Sequence, residues 1–348
     1  MFNPDYRNLV NAALNRVSDR IPLYEHIIGD TFIEKAIGKE FAFLHEGDHT
    51  SKLKYFRHLC SFFKDMGYDT VSYECCVGSI MPGSGALGQH KDGIIKTRDD
   101  YNKYPWEEIT DLFFQAFKKS YIALRESMPE GMKAVGGVGN GVFECVQEIV
   151  GFEELCIIRS DDEELYADLF ARVGDMLCAI WSRFLPEFGD IFCVCRMGDD
   201  LGFKSSTLLP PDDIRKFIIP QYKRIVDIVH KHKKPFLFHS CGYIFDVMPD
   251  IINIAKIDAK HSNEDQIAPF SKWICDYGSQ IGNFGGLDTD ALCEINTCDI
   301  VEYTTFAYNA CVKKGRGVAI GSGNSIPDYV SVDRYYTAID VIRRLRGE

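Results

Sequence analysis

The chain has 348 residues, 46% of them hydrophobic and 26% charged, the balance of a globular protein with a sizeable core rather than of a disordered or collagen-like chain. Its 39 Lys and Arg are outnumbered by 51 Asp and Glu, for a formal charge of -12. That excess of acid opposes binding to a nucleic-acid backbone or to an anionic lipid surface.

The opening residues, MFNPDYRNLVNAALNRVSDR, hold no apolar signal-peptide core, and no window approaches a membrane span, so a cytoplasmic setting is expected. The 13 cysteines are then expected to be reduced, most of them as small core residues and a few as ligands. No Ser/Gly linker, low-complexity tract or short repeat divides the chain. One domain over residues 1–348, with a helical extension at about 1–19, is the expected organisation.

β-rich runs alternate with amphipathic stretches. In chain order the runs are RIPLYEH (20–26), DTVSYE (69–74), MKAVGGVG (132–139), DIFCVCRMGDD (190–200), PFLFHSCG (235–242), KIDAKHS (256–262), QIGNFGGLD (280–288) and GVAIGSGN (317–324). Each is short, rich in β-branched or aromatic residues, and bounded by Gly, Pro or Asp. Between them, residues 52–66, 162–184 and 212–232 repeat apolar side chains at three- and four-residue spacing, one buried face per helix. Pro210, Pro211, Asp212 and Asp213 suit the start of the last of these. Eight strands alternating with helices match the count of a (β/α)8 barrel; an open doubly wound sheet uses the same alternation and remains the competing architecture.

In a barrel the functional site lies at the C-terminal strand ends. There the sequence places Glu25, His26, Glu74, Asp199, Asp200, His239, Cys241, His261, Asp288 and Asn324. The sharpest local signal is FHSCG. Side chains alternate along a strand, so His239 and Cys241 point to one side and Ser240 to the other. An imidazole and a sulfur converging in this way suit zinc, although a packed cysteine beside a hydrogen-bonded histidine reads equally simply. The glycine-rich GGVGNG and GSGALG lack the features of phosphate loops and read as turns that need positive φ. Cys193 and Cys195 are expected on one strand face, as core.

The stretch LLPPDDIRKFIIPQYKRIVDIVHKHKKPFLFHSCGYIFDVMPDII, with GGLDTDAL and GVAIGSGNSIPDY after it and VFECVQEIVGFEEL before it, resembles the uroporphyrinogen decarboxylase-like superfamily. The resemblance implies a single (β/α)8 barrel and offers two branches. True porphyrinogen decarboxylases are metal-free and hold their substrate with arginines after the first strand; here RIPLYEHIIGD lacks that cluster, and Glu25 would repel a polycarboxylate. The other branch comprises zinc-dependent methyltransferases that work with corrinoid (cobalamin) proteins. It uses a His-x-Cys, matched by His239 and Cys241, and a later cysteine whose turn here reads Gly321-Ser322-Gly323-Asn324, with Asn324 at or beside the ligand position.

The resemblance therefore implies a zinc- and corrinoid-dependent methyltransferase, moving a methyl group between a small methylated compound or a thiol and a separate corrinoid-binding protein. Zinc would sit on His239 and Cys241 with Glu74 as third ligand, Glu25 and His261 being the next choices. Glu25, Asp199, His261 and Asn324 would orient substrate or move protons. Two other readings stay open: a metal-free lyase or decarboxylase with Arg196 and Lys204 as a carboxylate clamp, and a barrel that binds ligand without catalysis.

Overall fold

Seven of the eight expected runs become strands of one parallel sheet. The computed structural model describes residues 2–89 and 91–348. The strands are β1 (Thr70–Cys76), β2 (Lys133–Gly139), β3 (Phe192–Gly198), β4 (Phe236–His239), β5 (Ala259–His261), β6 (Gly282–Leu287) and β7 (Val318–Ser322). Each pairs with the next in sequence order, and helices lie between them. This is the barrel-like winding of the α/β class.

The eighth run stops short of a strand. Leu23 makes a single parallel bridge to Ile320. Around it Tyr24 N–H donates to the Ile320 carbonyl at 2.9 Å, and Ile320 N–H donates to the Pro22 carbonyl at 3.0 Å. Pro22 has no N–H to offer, which limits any longer ladder. On the opposite flank this segment meets β1 through a side chain, the Ser72 hydroxyl donating to the Glu25 carbonyl. Among the described residues the sheet is thus a curled seven-stranded one, with residues 22–26 laid along β7 rather than forming an eighth full strand.

Two apolar clusters follow from strand alternation. Val135, Val194, Leu237, Ala259, Phe284 and Ala319 pack inside the curl, against Leu9, Ala12 and Ala13 of the short helix Arg7–Ala13, which closes its lower end. The outward side chains join the helices in the larger cluster.

Three local expectations are corrected. Cys193 belongs to the inner cluster and Cys195 to the outer one, because Ala134 pairs with Phe192 and Val135 with Val194, leaving Cys193 as a bulge residue. The single helix expected over residues 212–232 is interrupted by a π turn, Ile214–Ile218, before the helix Ile219–Lys231. Pro220 is the physical cause: it has no N–H, and its ring crowds the carbonyl four residues earlier. Gly136, expected in a turn, lies inside β2 with φ of 132°, where a Cβ would stand 2.1 Å from the Tyr73 carbonyl oxygen of β1. No described helix is long and apolar enough to cross a membrane.

Candidate metal centre

Register sets the first pair of side chains. Gly198, His239 and His261 lie level across β3, β4 and β5. Strand β4 ends at His239, and the chain carries Cys241 back over it, so that the sulfur lies 3.3 Å from His239 Nε2. Ser240 turns elsewhere and accepts from Leu201 N–H at 3.1 Å. The convergence expected from the sequence is therefore present.

The protonation of His239 can be deduced from its neighbours. His261 Nε2 lies 3.0 Å from the Ser322 carbonyl, which can only accept, so that nitrogen carries hydrogen. Burial pushes His261 down to about 3, so the ring is neutral and its Nδ1 is bare. His239 Nδ1, 2.7 Å from His261 Nδ1, must then be the donor. Burial, followed by the neighbouring His261, holds His239 neutral as well, which leaves its Nε2 without hydrogen, as the acceptor facing the Cys241 thiol. This is the arrangement in which a second histidine fixes a metal-ligating tautomer. His26 stacks on His239 at 3.8 Å between ring centroids, with its own Nδ1 buried and unpartnered.

Asp200 supplies a third donor. Its Oδ1 lies 3.7 Å from His239 Nε2 and accepts from Cys241 N–H at 2.8 Å. The loops carrying Asp200 and Cys241 touch backbone to backbone. Gly242 has φ of 78°, and a Cβ on it would come within 2.2 Å of Gly202; Tyr243 N–H also donates to the Phe203 carbonyl at 2.6 Å. Glycine at both positions is what lets the loops close.

One donor atom each from Asp200, His239 and Cys241 fall within 4.8 Å of one another. Zinc bonds of about 2.3 Å to sulfur and about 2.0–2.1 Å to nitrogen and oxygen, at tetrahedral angles, imply donor separations of about 3.4–3.6 Å. The observed 3.3 and 3.7 Å fit that requirement. His26, His239 and His261 form a second close trio, but there the Nδ1 pair of His239 and His261 is already committed to its hydrogen bond. Burial and Asp200 push the Cys241 thiol above its ordinary range, so a cation beside it is what would favour thiolate.

Other residues expected at the site have different surroundings. Glu74 is not in the donor group: one of its oxygens accepts from Arg196 Nε and Nη2 at 2.9 and 2.8 Å, in an ion pair whose guanidinium is fully buried. Glu25 lies behind β7, accepting from Ser322 N–H and hydroxyl and from Tyr68, and burial pushes it up to about 7. Asp199 caps a helix, accepting from Phe143 N–H at 2.9 Å, Glu144 N–H at 2.8 Å and the Tyr222 hydroxyl.

Asn324 does reach the site, but as a donor: its Nδ2 is 3.3 Å from the Cys241 sulfur, and its Oδ1 accepts from Ser325 N–H at 2.7 Å. Arg196 also donates to the Tyr24 hydroxyl and the His26 carbonyl, and Lys204 bonds Gln266 at the surface, so neither stands as a free carboxylate clamp. A cavity of about 310 Å³ adjoins Asn324, lined by Glu264, Asp288 and Asp290 and by no Lys or Arg. Asp200 is the residue that the sequence left outside the ligand set; it lies beyond β3, where strand alternation no longer predicts direction.

Comparison with known proteins fits this architecture. A solved structure described as a methyltransferase from Methanosarcina mazei superposes with a TM-score of 0.72 at 14% identity, covering 97% of this chain and 98% of that one, a likeness of fold. A 3-keto-D-glucoside 4-epimerase from E. coli gives a TM-score of 0.46 at 11% identity, over 84% of this chain and 94% of that one. A D-allulose 3-epimerase from Methylomonas sp. gives 0.46 at 9%, over 93% and 99%. No curated protein matches the sequence. The sequence profile of uroporphyrinogen decarboxylase (URO-D) matches residues 88–345, well over half of the 348. The chain belongs to the uroporphyrinogen decarboxylase family.

Proposed function

We propose that the protein is a zinc-dependent methyltransferase of a corrinoid system, transferring a methyl group between a small methylated compound or thiol and a corrinoid carried by a partner protein. The observation that carries this reading is the unprotonated His239 Nε2 set 3.3 Å from the Cys241 sulfur at the open end of the strands. His239, Cys241 and Asp200 would hold the metal, a change from the Glu74 expected from sequence. Three protein ligands with a position left open is the usual form of a catalytic zinc site.

Zinc, when bound, supplies Lewis-acid polarisation of the heteroatom that gains or loses the methyl group. The chain's own residues prepare for that. His261 fixes the His239 tautomer, and Asn324 donates to the sulfur and so tempers its negative charge. Asp200, with its side chain 43% exposed, leaves the site open to solvent and to a carrier. The acid-lined cavity beside Asn324 suits a neutral or cationic methyl compound better than a carboxylate.

The test is metal analysis of protein purified without added zinc. About one equivalent is expected, lost in Cys241→Ala; less than about a tenth of an equivalent in the wild type would overturn the reading. Methyl transfer from methylcobalamin to a panel of thiols, or to cob(I)alamin from a panel of methylated compounds, then tests the reaction class.

A further inference from the structure

At the opposite end of the strands from His239, a cavity of about 310 Å³ opens beside Val318, the first residue of β7. Four arginines line it, Arg16, Arg20, Arg316 and Arg346, against one carboxylate, Asp19. In a chain of net charge -12 this is a local reversal of sign. Arg20 is matched by Asp69 and Arg346 by Glu348, whereas Arg16 and Arg316 enter no ion pair among the described residues.

Arg346 gives the second, independent observation. Its side chain is only 1% exposed. Its terminal nitrogens donate to the carbonyls of Ile21 and Gly67, both at 3.2 Å, and to Glu348 at 2.7 Å. Its Nε is buried with no partner. Those acceptors hold the guanidinium as a fixed positive charge among the residues that line the cavity. Tyr308 provides an aromatic wall to the same cavity.

We infer that this lower cavity is a binding site for a small phosphate monoester. Two guanidinium groups that enter no ion pair, Arg16 and Arg316, call for one group with close to two negative charges and several acceptor oxygens, which phosphate offers and a single carboxylate does not. The volume is that of a small-molecule site. Tyr308 takes the apolar or aromatic body of the ester. Val318 and Ser322 mark the two ends of β7, so the site is separate from the candidate metal centre and independent of it.

The experiment titrates the full chain with phenyl phosphate, inorganic phosphate and benzoate by calorimetry. Saturable binding is expected for phenyl phosphate, tighter than for either of the others, and weakened at least about 10-fold in Arg16→Ala/Arg316→Ala, both exposed positions. On the wild type, phenyl phosphate is expected to protect Arg16 and Arg316 from phenylglyoxal, read by mass spectrometry, and to leave the exposed Arg57 reactive. Dissociation constants above about 10 mM for all probes, benzoate binding as tightly as phenyl phosphate, unchanged affinity in the double variant, or equal protection of Arg57 would each overturn the assignment.

Discussion

His239 and His261 share one hydrogen between their Nδ1 atoms across 2.7 Å, and the Ser322 carbonyl decides which ring donates it. The unprotonated Nε2 of His239 therefore depends on a residue that would not itself bind the metal. Replacing His261 by Phe keeps the packing and removes the acceptor. Metal affinity, measured by competition with a chromogenic chelator, is expected to fall about 10- to 100-fold. His261→Gln, which restores an acceptor oxygen, is expected to lose less. Equal retention of metal by the wild type and the Phe variant would dissociate the tautomer from the metal.

Asp200 and Glu74 make opposite predictions. Asp200→Ala is expected to release zinc while melting close to the wild type, because the carboxylate is partly exposed. Glu74→Gln is expected to keep zinc and lose stability, by about 3–5 kcal/mol, because it strands the Arg196 guanidinium in the interior. Metal content and denaturant midpoints of the two variants separate the roles; zinc loss in Glu74→Gln with a normal midpoint would return Glu74 to the ligand set.

Asn324 donates to the sulfur instead of binding beside it. Asn324→Ala should accordingly retain about one equivalent of zinc. Asn324→Cys, adding a thiolate near Cys241, should slow release of the metal to chelator. Loss of zinc from the Ala variant would mean that the amide oxygen is itself a ligand.

Glu25 gives a pH signature. Its folded pKa is about 7 against an ordinary 4.5. Between those values the folded protein keeps a proton that the unfolded chain has released, so this group's contribution to stability falls as pH rises through the window. The full effect is about 3 kcal/mol, reached above the folded value. Asp199, raised to about 6, adds a slope of the same sign. Buried His26, His239 and His261, all held below their ordinary 6.5, contribute the opposite slope below that value, so the signature is the difference between wild type and Glu25→Gln. In urea unfolding of metal-free protein that difference should move against the wild type as pH rises from 5 to 8; a difference that does not change with pH would exclude Glu25 as the source.

The sequence carried the periodic part of this structure well. Seven strands follow from alternation, because repeats of two and of three to four residues report which side chains share a face; the His239–Cys241 convergence is anticipated by the same rule, but it is the turn after β4 that makes it. What escaped it depends on contacts between distant segments. The bridge that stands in for the first strand, the bulge at Cys193, the Arg196–Glu74 pair and the Gly202–Gly242 closure that sets Asp200 beside Cys241 join segments 40 or more residues apart or arise from pairing register. Alternation predicts side-chain direction within a strand and loses its hold beyond the strand's end; Asp200 lies two residues past β3.

The helix Arg7–Ala13, packed by Leu9, Ala12 and Ala13 into the base of the curl, stops passage along the axis. Traffic to the histidines is therefore directed through the upper rim. If a bulky carrier docks on that rim, it stands in the doorway used by the small reactant, which must already be inside. The plug would then impose a queue: small molecule first, carrier second, and departure in reverse.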